Sequence, residues 1–336
     1  MGRLVDGQWT TEWYEPDAEG RFVRDSTRFH GRIGAEGRHP AVADRYHLYV
    51  SLACPWAHRT LIVRALKGLE QAIDISVVDH FMGDEGWRFD ATVPGASEDR
   101  LFGARYLREI YVRADPRYTG RVTVPILWDK QLGTIVNNES REIVRMLDHE
   151  FAGIAERELD LAPAELRGEV ERVIDAIYEP INNGVYKAGF AASQAAYDEA
   201  VDALFSALDH WERVLDQQRW LAGERLTEAD IFLFTTLIRF DLVYHTHFKC
   251  NRKRVIDYPN LWGFVREIHQ IPGVAQTCNF EHIRRHYYGS HEHINPHRIV
   301  AIGPQLELSA PHGRESKGGI SALELLAGVA TDSGPE

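Results

Sequence analysis

Cysteine is scarce in this chain, which has only three among 336 residues, at positions 54, 250 and 278. Three thiols spread so widely cannot form a disulfide framework, which excludes the small disulfide-stapled class of secreted protein. The first residues also lack the basic, apolar and small-residue pattern of a secretory leader. These two absences predict a reducing compartment, and we expect a cytoplasmic protein.

Long hydrophobic runs and an excess of positive charge are also missing. No apolar stretch approaches the roughly 20 residues that cross a bilayer, so we expect no membrane partner. The formal net charge of −12 excludes a general nucleic-acid binder, because such proteins neutralise many phosphates. What is present, 336 residues with 44% hydrophobic content, can form a sizeable core and favours two domains with extensions.

The most informative cysteine lies where a predicted strand passes into a predicted helix. Cys54 precedes Pro55, a residue suited to the first helical position. Unpaired amides and the dipole of a helix start favour a thiolate, so we expect a lowered pKa and a nucleophilic Cys54. The alternative is a buried structural cysteine. Because Ala57 stands where the glutaredoxin dithiol box has its second cysteine, Cys54 must form a mixed disulfide with an external thiol or conjugate.

Composition and periodicity divide the chain into four segments. Residues 1–45 are predicted to be an irregular arm, and residues 46–150 an α/β domain with a long insertion at 80–120 that we interpret as functional. Residues 165–280 lose all strand signals and predict an all-helical domain. Residues 281–336 form an extension that we expect to be largely loose, with its end disordered.

Local patterns predict the elements of the two domains. A strand at 46–50, a helix at 56–68 and a strand at 73–78 form a βαβ unit with parallel strands. A hairpin follows, with Pro125 at a strand entrance where a cis bond is possible, and a helix begins near residue 138. The helical half predicts a long amphipathic helix around 201–215, and an apolar helix from a capping box at Thr227 and Asp230 through Phe240.

Six short motifs occur in order along the chain: Cys54-Pro55-Trp56-Ala57, Gly86-Trp87-Arg88, Arg121-Val122-Thr123-Val124-Pro125, Asn137-Asn138-Glu139-Ser140, Asn182-Asn183-Gly184-Val185-Tyr186 and Arg284-Arg285-His286-Tyr287-Tyr288. With the α/β half followed by a helical half, the chain resembles the cytosolic glutathione transferases, and these motifs resemble in finer detail those of the glutathionyl-hydroquinone reductases of the Xi class. The resemblance leaves only the last forty or so residues uncovered. It implies a thioredoxin-like N-terminal domain followed by an all-helical C-terminal domain.

The resemblance also implies a reaction. The Cys54 thiolate would attack the glutathione sulfur of a glutathionyl-hydroquinone, release hydroquinone and keep glutathione as a mixed disulfide. A second glutathione would free the cysteine and leave as glutathione disulfide. Glutathione is then a co-substrate, no metal or flavin is expected, and a homodimer is implied.

Site roles follow from the same resemblance. Glu139 and Ser140, at a helix start, would bind the glutamyl end of glutathione, and Val124 would offer its backbone to the cysteinyl part. Arg121 would pair with a ligand carboxylate, and Trp87 would cover the peptide. The quinol would lie among three tyrosines, whose hydroxyls can bind its oxygen, stabilise a thiolate or deliver a proton. These are Tyr186, Tyr244 and Tyr287, with Tyr288 as a rival to Tyr287.

Several alternatives stay open at this stage. Conventional conjugation of glutathione to electrophiles is one, although a cysteine beside a bound thiol favours disulfide formation. Reduction of dehydroascorbate or other thiol substrates is another, and a non-catalytic transferase-fold protein that binds partners is a third. The crowded histidines near residues 282–297 match no zinc spacing, so we expect no metal site. The sequence does not identify which quinol is the substrate, and it does not distinguish glutathione from another small thiol as the co-substrate.

Overall fold

The computed structural model describes residues 2–35 and 37–328, and its first domain is built on a four-stranded sheet. The strands are β3 (Tyr46–Val50), β4 (Ile73–Val77), β6 (Ile126–Asp129) and β7 (Thr134–Asn137), in the order β4-β3-β6-β7. β3 is parallel to β4 and antiparallel to β6, and β6 is antiparallel to β7. Every residue of the central strand β3 is buried. The predicted βαβ unit and hairpin are confirmed.

Two helices of this domain begin at the edge of the sheet where the site forms. Helix α1 (Pro55–Lys67) has Pro55 at its first position and ends at Gly68, whose φ of 67° lets its amide bond the Ala65 carbonyl. Helix α3 (Ser140–Arg145) begins after Glu139 and continues as a wider helical turn, Met146–Glu150. Between them, a cis Val124–Pro125 bond leads into β6, so Pro125 lies at the strand entrance as predicted.

The second domain consists of helices. They are α4 (Arg167–Ile177), α5 (Gly184–Gly189), α6 (Gln194–Gln217), α7 (Glu228–Arg239), α8 (His245–His247), α9 (Pro259–His269) and α10 (Phe280–Ser290). Helix α6 buries the apolar face that its spacing predicted. All twelve residues of α7 are buried, and its first turn carries the predicted capping box between Thr227 and Asp230. The fold class expected from the sequence is confirmed.

The N-terminal arm is more regular than predicted. Strands β1 (Arg3–Val5) and β2 (Gln8–Thr10) form a hairpin, and β1 also pairs with β5 (Gly120–Arg121) from the end of the insertion. The prediction of an irregular arm is therefore wrong for residues 3–10, because three-residue strands are too short to show a period. The insertion carries its own helix, α2 (Leu107–Ala114).

Part of the C-terminal tail is docked rather than loose, around Arg314 and Ile320, whereas Ile299 and Ile302 earlier in the tail are exposed. Arg314 is only 2% exposed and donates from Nε to the Glu267 carboxylate at 2.8 Å. The Trp220 indole donates to the Ile320 carbonyl at 2.8 Å, shortly before the short helix α11 (Ala322–Leu326). The expected looseness is wrong here because buried charge pairing, which has no sequence period, holds the tail. The expected disordered end, 329–336, lies outside the described residues.

None of the helices in residues 2–35 and 37–328 combines the length and the hydropathy needed to span a bilayer.

Candidate active site

Two cavities with several lining residues in common adjoin each other, and Cys54 lines one of them. The first, called here the peptide cavity, has a volume of about 470 Å³ and is lined by Val124, Pro125, Glu139 and Ser140 among others. The second, called the aromatic cavity, has a volume of about 100 Å³ and contains the Cys54 thiol. Aromatic and cationic side chains from the arm, α1 and β5 line both cavities: Tyr14, Phe22, Arg24, Trp56 and Arg121. A ligand with a peptide half and an aromatic half would fit this division.

Cys54 caps the N-terminus of α1 and is half-buried. Its Sγ donates to the Val124 carbonyl at 3.6 Å. Burial raises the pKa of the thiol, while the amides of Ala57 and Trp56 and the charge of Arg239 act to lower it. The helix-start effect predicted from the sequence is therefore present, but the expected net lowering of the pKa is wrong, because the sequence does not show how far the sulfur is desolvated.

A buried arginine from α7 supports the chain just before Cys54. Arg239 donates from Nε to the Ala53 carbonyl at 2.9 Å and from Nη1 to His58 Nδ1 at 3.0 Å. Since His58 Nδ1 accepts, its Nε2 carries the proton and donates to Thr277 Oγ1 at 2.8 Å. Burial and the Arg239 charge hold the pKa of His58 well below its usual value, so this ring stays neutral. Neither residue was predicted, because their partners are distant in sequence.

Glu139 and Ser140 lie at the far end of the peptide cavity, at the start of α3. The Glu139 carboxylate accepts from the Arg141 amide at 3.3 Å and from Thr27 Oγ1 at 3.4 Å. Behind them, Arg59 Nη1 donates to Ser140 Oγ at 3.3 Å, and burial lowers the pKa of Arg59 to about 10. The start of α3 thus offers a carboxylate for an ammonium group and unpaired amides for a carboxylate, as a γ-glutamyl group requires.

Three further residues were predicted to contact the peptide: Val124, Trp87 and Arg121. All three line a cavity, but the side chain of Arg121 is engaged by the arm. Val124 lines both cavities, and Trp87 lines the aromatic cavity, where it stacks on His286 with ring centres 4.8 Å apart. Arg121 lines both cavities, but its guanidinium binds the arm, with Nε donating to Asp25 Oδ2 at 3.2 Å and Nη2 to the Trp13 carbonyl at 2.8 Å. Arg121 therefore anchors the arm over the site.

The three predicted tyrosines share one hydrogen-bond network. The Tyr287 hydroxyl lies 2.6 Å from that of Tyr186 and 2.9 Å from that of Tyr244. Tyr186 and Tyr287 line the aromatic cavity, whereas Tyr244 is fully buried behind them. Burial raises the pKa of all three phenols, so they are hydrogen-bond donors at neutral pH. The rival Tyr288 points away and donates to the Leu242 carbonyl at 3.3 Å.

Sequence reasoning missed the contribution of the arm to the site. Tyr14, Phe22 and Arg24 line both cavities, and no local motif marked them, because the arm lacks a period. The sequence analysis also assigned no role to His286, although that residue lies within one of the six motifs. His286 Nδ1 donates to the His80 carbonyl at 2.8 Å, and burial lowers the pKa of its ring to about 4.

Metal-ligand atoms come together elsewhere in the described chain. One group of three, from Asp148, His149 and Asp160, has suitable mutual spacing, but Asp148 already accepts from Lys67 Nζ at 3.2 Å and from the Leu161 amide at 2.9 Å. None of the three lines either cavity at Cys54. The group has no connection to the site described here.

Comparisons with known proteins agree with this architecture. Residues 53–150 match the model of the glutathione S-transferase N-terminal domain, and residues 194–267 match that of the C-terminal domain. Glutathionyl-hydroquinone reductase YqjG of Escherichia coli is 51% identical over 95% of this chain and 100% of that protein. The corresponding reductase PcpF of Sphingobium chlorophenolicum is 50% identical over 90% of this chain and 96% of its own length.

Solved structures of glutathione transferases also resemble this chain. A Xi-class glutathione transferase from Natrialba magadii has a TM-score of 0.91 and 52% identity, covering 95% of this chain and 98% of that one. A glutathione-bound structure of Escherichia coli YqjG has a TM-score of 0.84 and 52% identity, covering 93% and 99% of the two chains. The chain belongs to the glutathione S-transferase family. Its place within that family is the Xi class, the branch of the glutathionyl-hydroquinone reductases.

The burial of Cys54 leads to a testable expectation for the ligand-free protein. Iodoacetamide should alkylate Cys54 with a pH midpoint above the value of about 8.5 for a free thiol, because desolvation outweighs the helix start. Cys250, which is fully buried, should react more slowly still. Intact-mass measurement over a pH series, with Cys250→Ser and Cys278→Ser to isolate Cys54, gives the midpoint. A midpoint below that of a free thiol would contradict this balance.

Proposed function

We propose that this protein is a glutathione-dependent reductase that removes glutathione from glutathionyl-hydroquinones. The observation that carries the proposal is the position of Cys54, a single thiol in an aromatic cavity that opens into a cavity suited to a peptide. A conjugate of glutathione with a quinol has these two halves, joined at the sulfur that Cys54 would attack. The two relatives with 51% and 50% sequence identity are named for this activity.

The chemistry assigns the sulfur-to-sulfur step to Cys54. Its thiolate attacks the glutathione sulfur, the bond from that sulfur to the ring breaks, and the ring gains a proton. A second glutathione then attacks the mixed disulfide and leaves as glutathione disulfide. Because burial disfavours the free thiolate, Arg239 and the amides at the start of α1 supply the opposing stabilisation. The cycle needs glutathione as co-substrate and neither metal nor flavin.

The peptide half of the ligand is assigned to the residues around the start of α3. Glu139 would receive the glutamyl ammonium, and Ser140 with the neighbouring amides would receive the glutamyl carboxylate. Val124 would pair its backbone with the cysteinyl part, and its carbonyl contact with Cys54 Sγ supports that position. Trp87 would cover the ligand near the reacting sulfur, and Arg121 would act by holding the arm in place.

The quinol half is assigned to the tyrosine network. Tyr186 and Tyr287 border the aromatic cavity, so either hydroxyl can donate to a quinol oxygen or provide the proton that the departing ring takes up. Tyr244 acts through Tyr287, since its hydroxyl contacts that of Tyr287 and does not line the cavity. It is a positioning residue.

We also propose that the protein acts in the cytoplasm as a homodimer, and that its partners are glutathione and a small-molecule conjugate rather than nucleic acid or membrane. The dimer rests on the family resemblance. Light scattering of the purified chain is expected to give twice the monomer mass of 38.3 kDa. A single species of monomer mass at working concentration would remove the dimer from the proposal.

Replacing the thiol tests the proposed reaction most directly. Cys54→Ser should abolish release of hydroquinone from a glutathionyl-hydroquinone while leaving the fold intact, because no second cysteine lies in the box and a hydroxyl cannot form the mixed disulfide. Product release followed by chromatography, with circular dichroism for folding and Cys278→Ser as the matched control, makes the comparison. Retained turnover in Cys54→Ser would contradict the proposed mechanism. An increase in the rate of glutathione conjugation would indicate conventional transferase chemistry in this variant.

A second pair of variants separates the two halves of the ligand. Glu139→Ala should lower kcat/KM for both a glutathionyl-hydroquinone and a quinol-free glutathione mixed disulfide, because the peptide is common to both. Tyr287→Phe should lower it for the quinol substrate alone, since only the departing ring needs a proton or a hydrogen bond. Steady-state kinetics with both substrates gives the answer. Equal losses on both substrates in Tyr287→Phe would mean that this hydroxyl supports the thiolate or the fold instead.

A further inference from the structure

The arm places one arginine in the wall that the two cavities share. Arg24 donates from Nε to Asn183 Oδ1 at 2.8 Å. Its guanidinium carbon lies 4.8 Å from the centre of the Tyr186 ring and 5.1 Å from that of the Trp56 ring. These contacts fix the plane of the guanidinium between a residue of α5 and the second residue of α1, directly beside the reactive cysteine.

One nitrogen of this guanidinium is buried without a hydrogen-bond partner in the part of the chain that the structure describes. Arg24 Nη2 is buried, yet it donates to no atom of the described residues, and no carboxylate of those residues pairs with the group. A buried donor on a permanent cation is costly to leave unpaired, so its usual explanation in a folded protein is a ligand or a bound water. Arg121 of the same wall differs, because the arm and Asp25 occupy its donors. Arg24 is therefore the wall cation that retains a free donor.

We propose that Arg24 Nη2 donates to a ring oxygen of the quinol and stabilises the negative charge that this oxygen carries as the ring leaves, an inference that rests on the proposed function. Arg24 lines both cavities: its Nε partner Asn183 belongs to the peptide cavity, whereas Tyr186, against which the guanidinium lies, belongs to the aromatic cavity alone. The quinol is favoured as the acceptor because the donor facing Asn183 is already engaged, and because the charge of Arg24 acts on Cys54, the residue at which the carbon–sulfur bond would be cleaved. The carboxylate and amides that suit the peptide lie at the other end, at Glu139 and Ser140.

The balance of the step explains why a cation at this oxygen matters. In the keto tautomer of the conjugate, the proton of the hydroxyl next to the sulfur has moved to the sulfur-bearing carbon. The Cys54 thiolate then forms a bond to the glutathione sulfur, and the carbon–sulfur bond breaks. Its electron pair passes through the ring to the keto oxygen, which becomes a phenolate and afterwards takes a proton from a tyrosine hydroxyl that borders the aromatic cavity; water restores that proton to the tyrosine. Arg24 would face this oxygen when its charge is greatest.

The test compares substrates with and without a quinol. Arg24→Gln should lower kcat/KM for a glutathionyl-hydroquinone by about 100-fold, the loss typical for one donor to a developing oxyanion. For the mixed disulfide of glutathione with 2-mercaptoethanol the loss should be only several-fold, the part due to the Arg24 charge near the Cys54 thiolate, because the leaving group is a thiolate with no ring oxygen. Arg24→Lys should recover part of the quinol activity, since it restores the charge without the planar geometry.

A matched control separates this role from anchoring of the arm. Arg21→Gln removes another arginine of the arm, one that is exposed and pairs with Glu199 at 3.0 Å, and it should leave both activities unchanged. Thermal denaturation of all variants reports on folding. Equal losses on both substrates in Arg24→Gln, or no loss on either, would overturn the proposed role.

A second readout depends on the acidity of the leaving quinol. In a series of ring-substituted glutathionyl-hydroquinones, kcat for Arg24→Gln should fall more steeply with rising phenol pKa than kcat for the unmodified protein, because the phenolate has lost its cation. Identical slopes would overturn the charge-stabilising role. An unmodified protein that reduces the mixed disulfide but no glutathionyl-hydroquinone would instead refute the proposed function itself, so the two failures are distinguishable.

Discussion

A buried arginine joins the two domains immediately beneath the Cys54 thiol, and the rest of the site depends on this contact. Arg239, at the end of α7, donates to the Ala53 carbonyl at 2.9 Å, to the Thr235 carbonyl at 2.8 Å and to His58 Nδ1 at 3.0 Å. It thereby fixes the turn that sets Cys54 at the start of α1. It also brings a positive charge close to a sulfur whose pKa burial raises, and that charge opposes part of the rise.

This balance between burial and charge explains the construction of the site. An aromatic cavity suits a quinol, but the same exclusion of water raises the pKa of the Cys54 thiol. The helix start, Arg239 and Arg24 all act in the opposite direction, and each comes from a different part of the chain. Thiolate formation is thus a property of the assembled domains, and a ligand that changes the polarity beside the sulfur would change it further.

The N-terminal arm lines one side of the site, in addition to the residues contributed by the two domains. Its hairpin pairs with the strand at Arg121, and the Arg121 side chain holds the carbonyls of Glu12 and Trp13 as well as Asp25. Those contacts bring Phe22 and Arg24 over the start of α1. Without the arm, the aromatic cavity would be open to solvent on that side, and the charges around Cys54 would be more strongly screened.

The sequence by itself determined the local structure. Alternation and helical spacing predicted the strand before Cys54, the helix after it, the hairpin at Pro125, the long helix α6 and the capping box of α7, because each depends on near neighbours in the chain. The motifs also named Cys54, Glu139, Ser140 and the tyrosines as candidates. Tertiary structure alone decided the rest. It set the net pKa of Cys54, turned Tyr287 rather than Tyr288 toward the cavity, engaged Arg121 with the arm and left Arg24 Nη2 without a hydrogen-bond partner among the described residues. These properties depend on burial and on contacts between residues far apart in sequence, which no local pattern records.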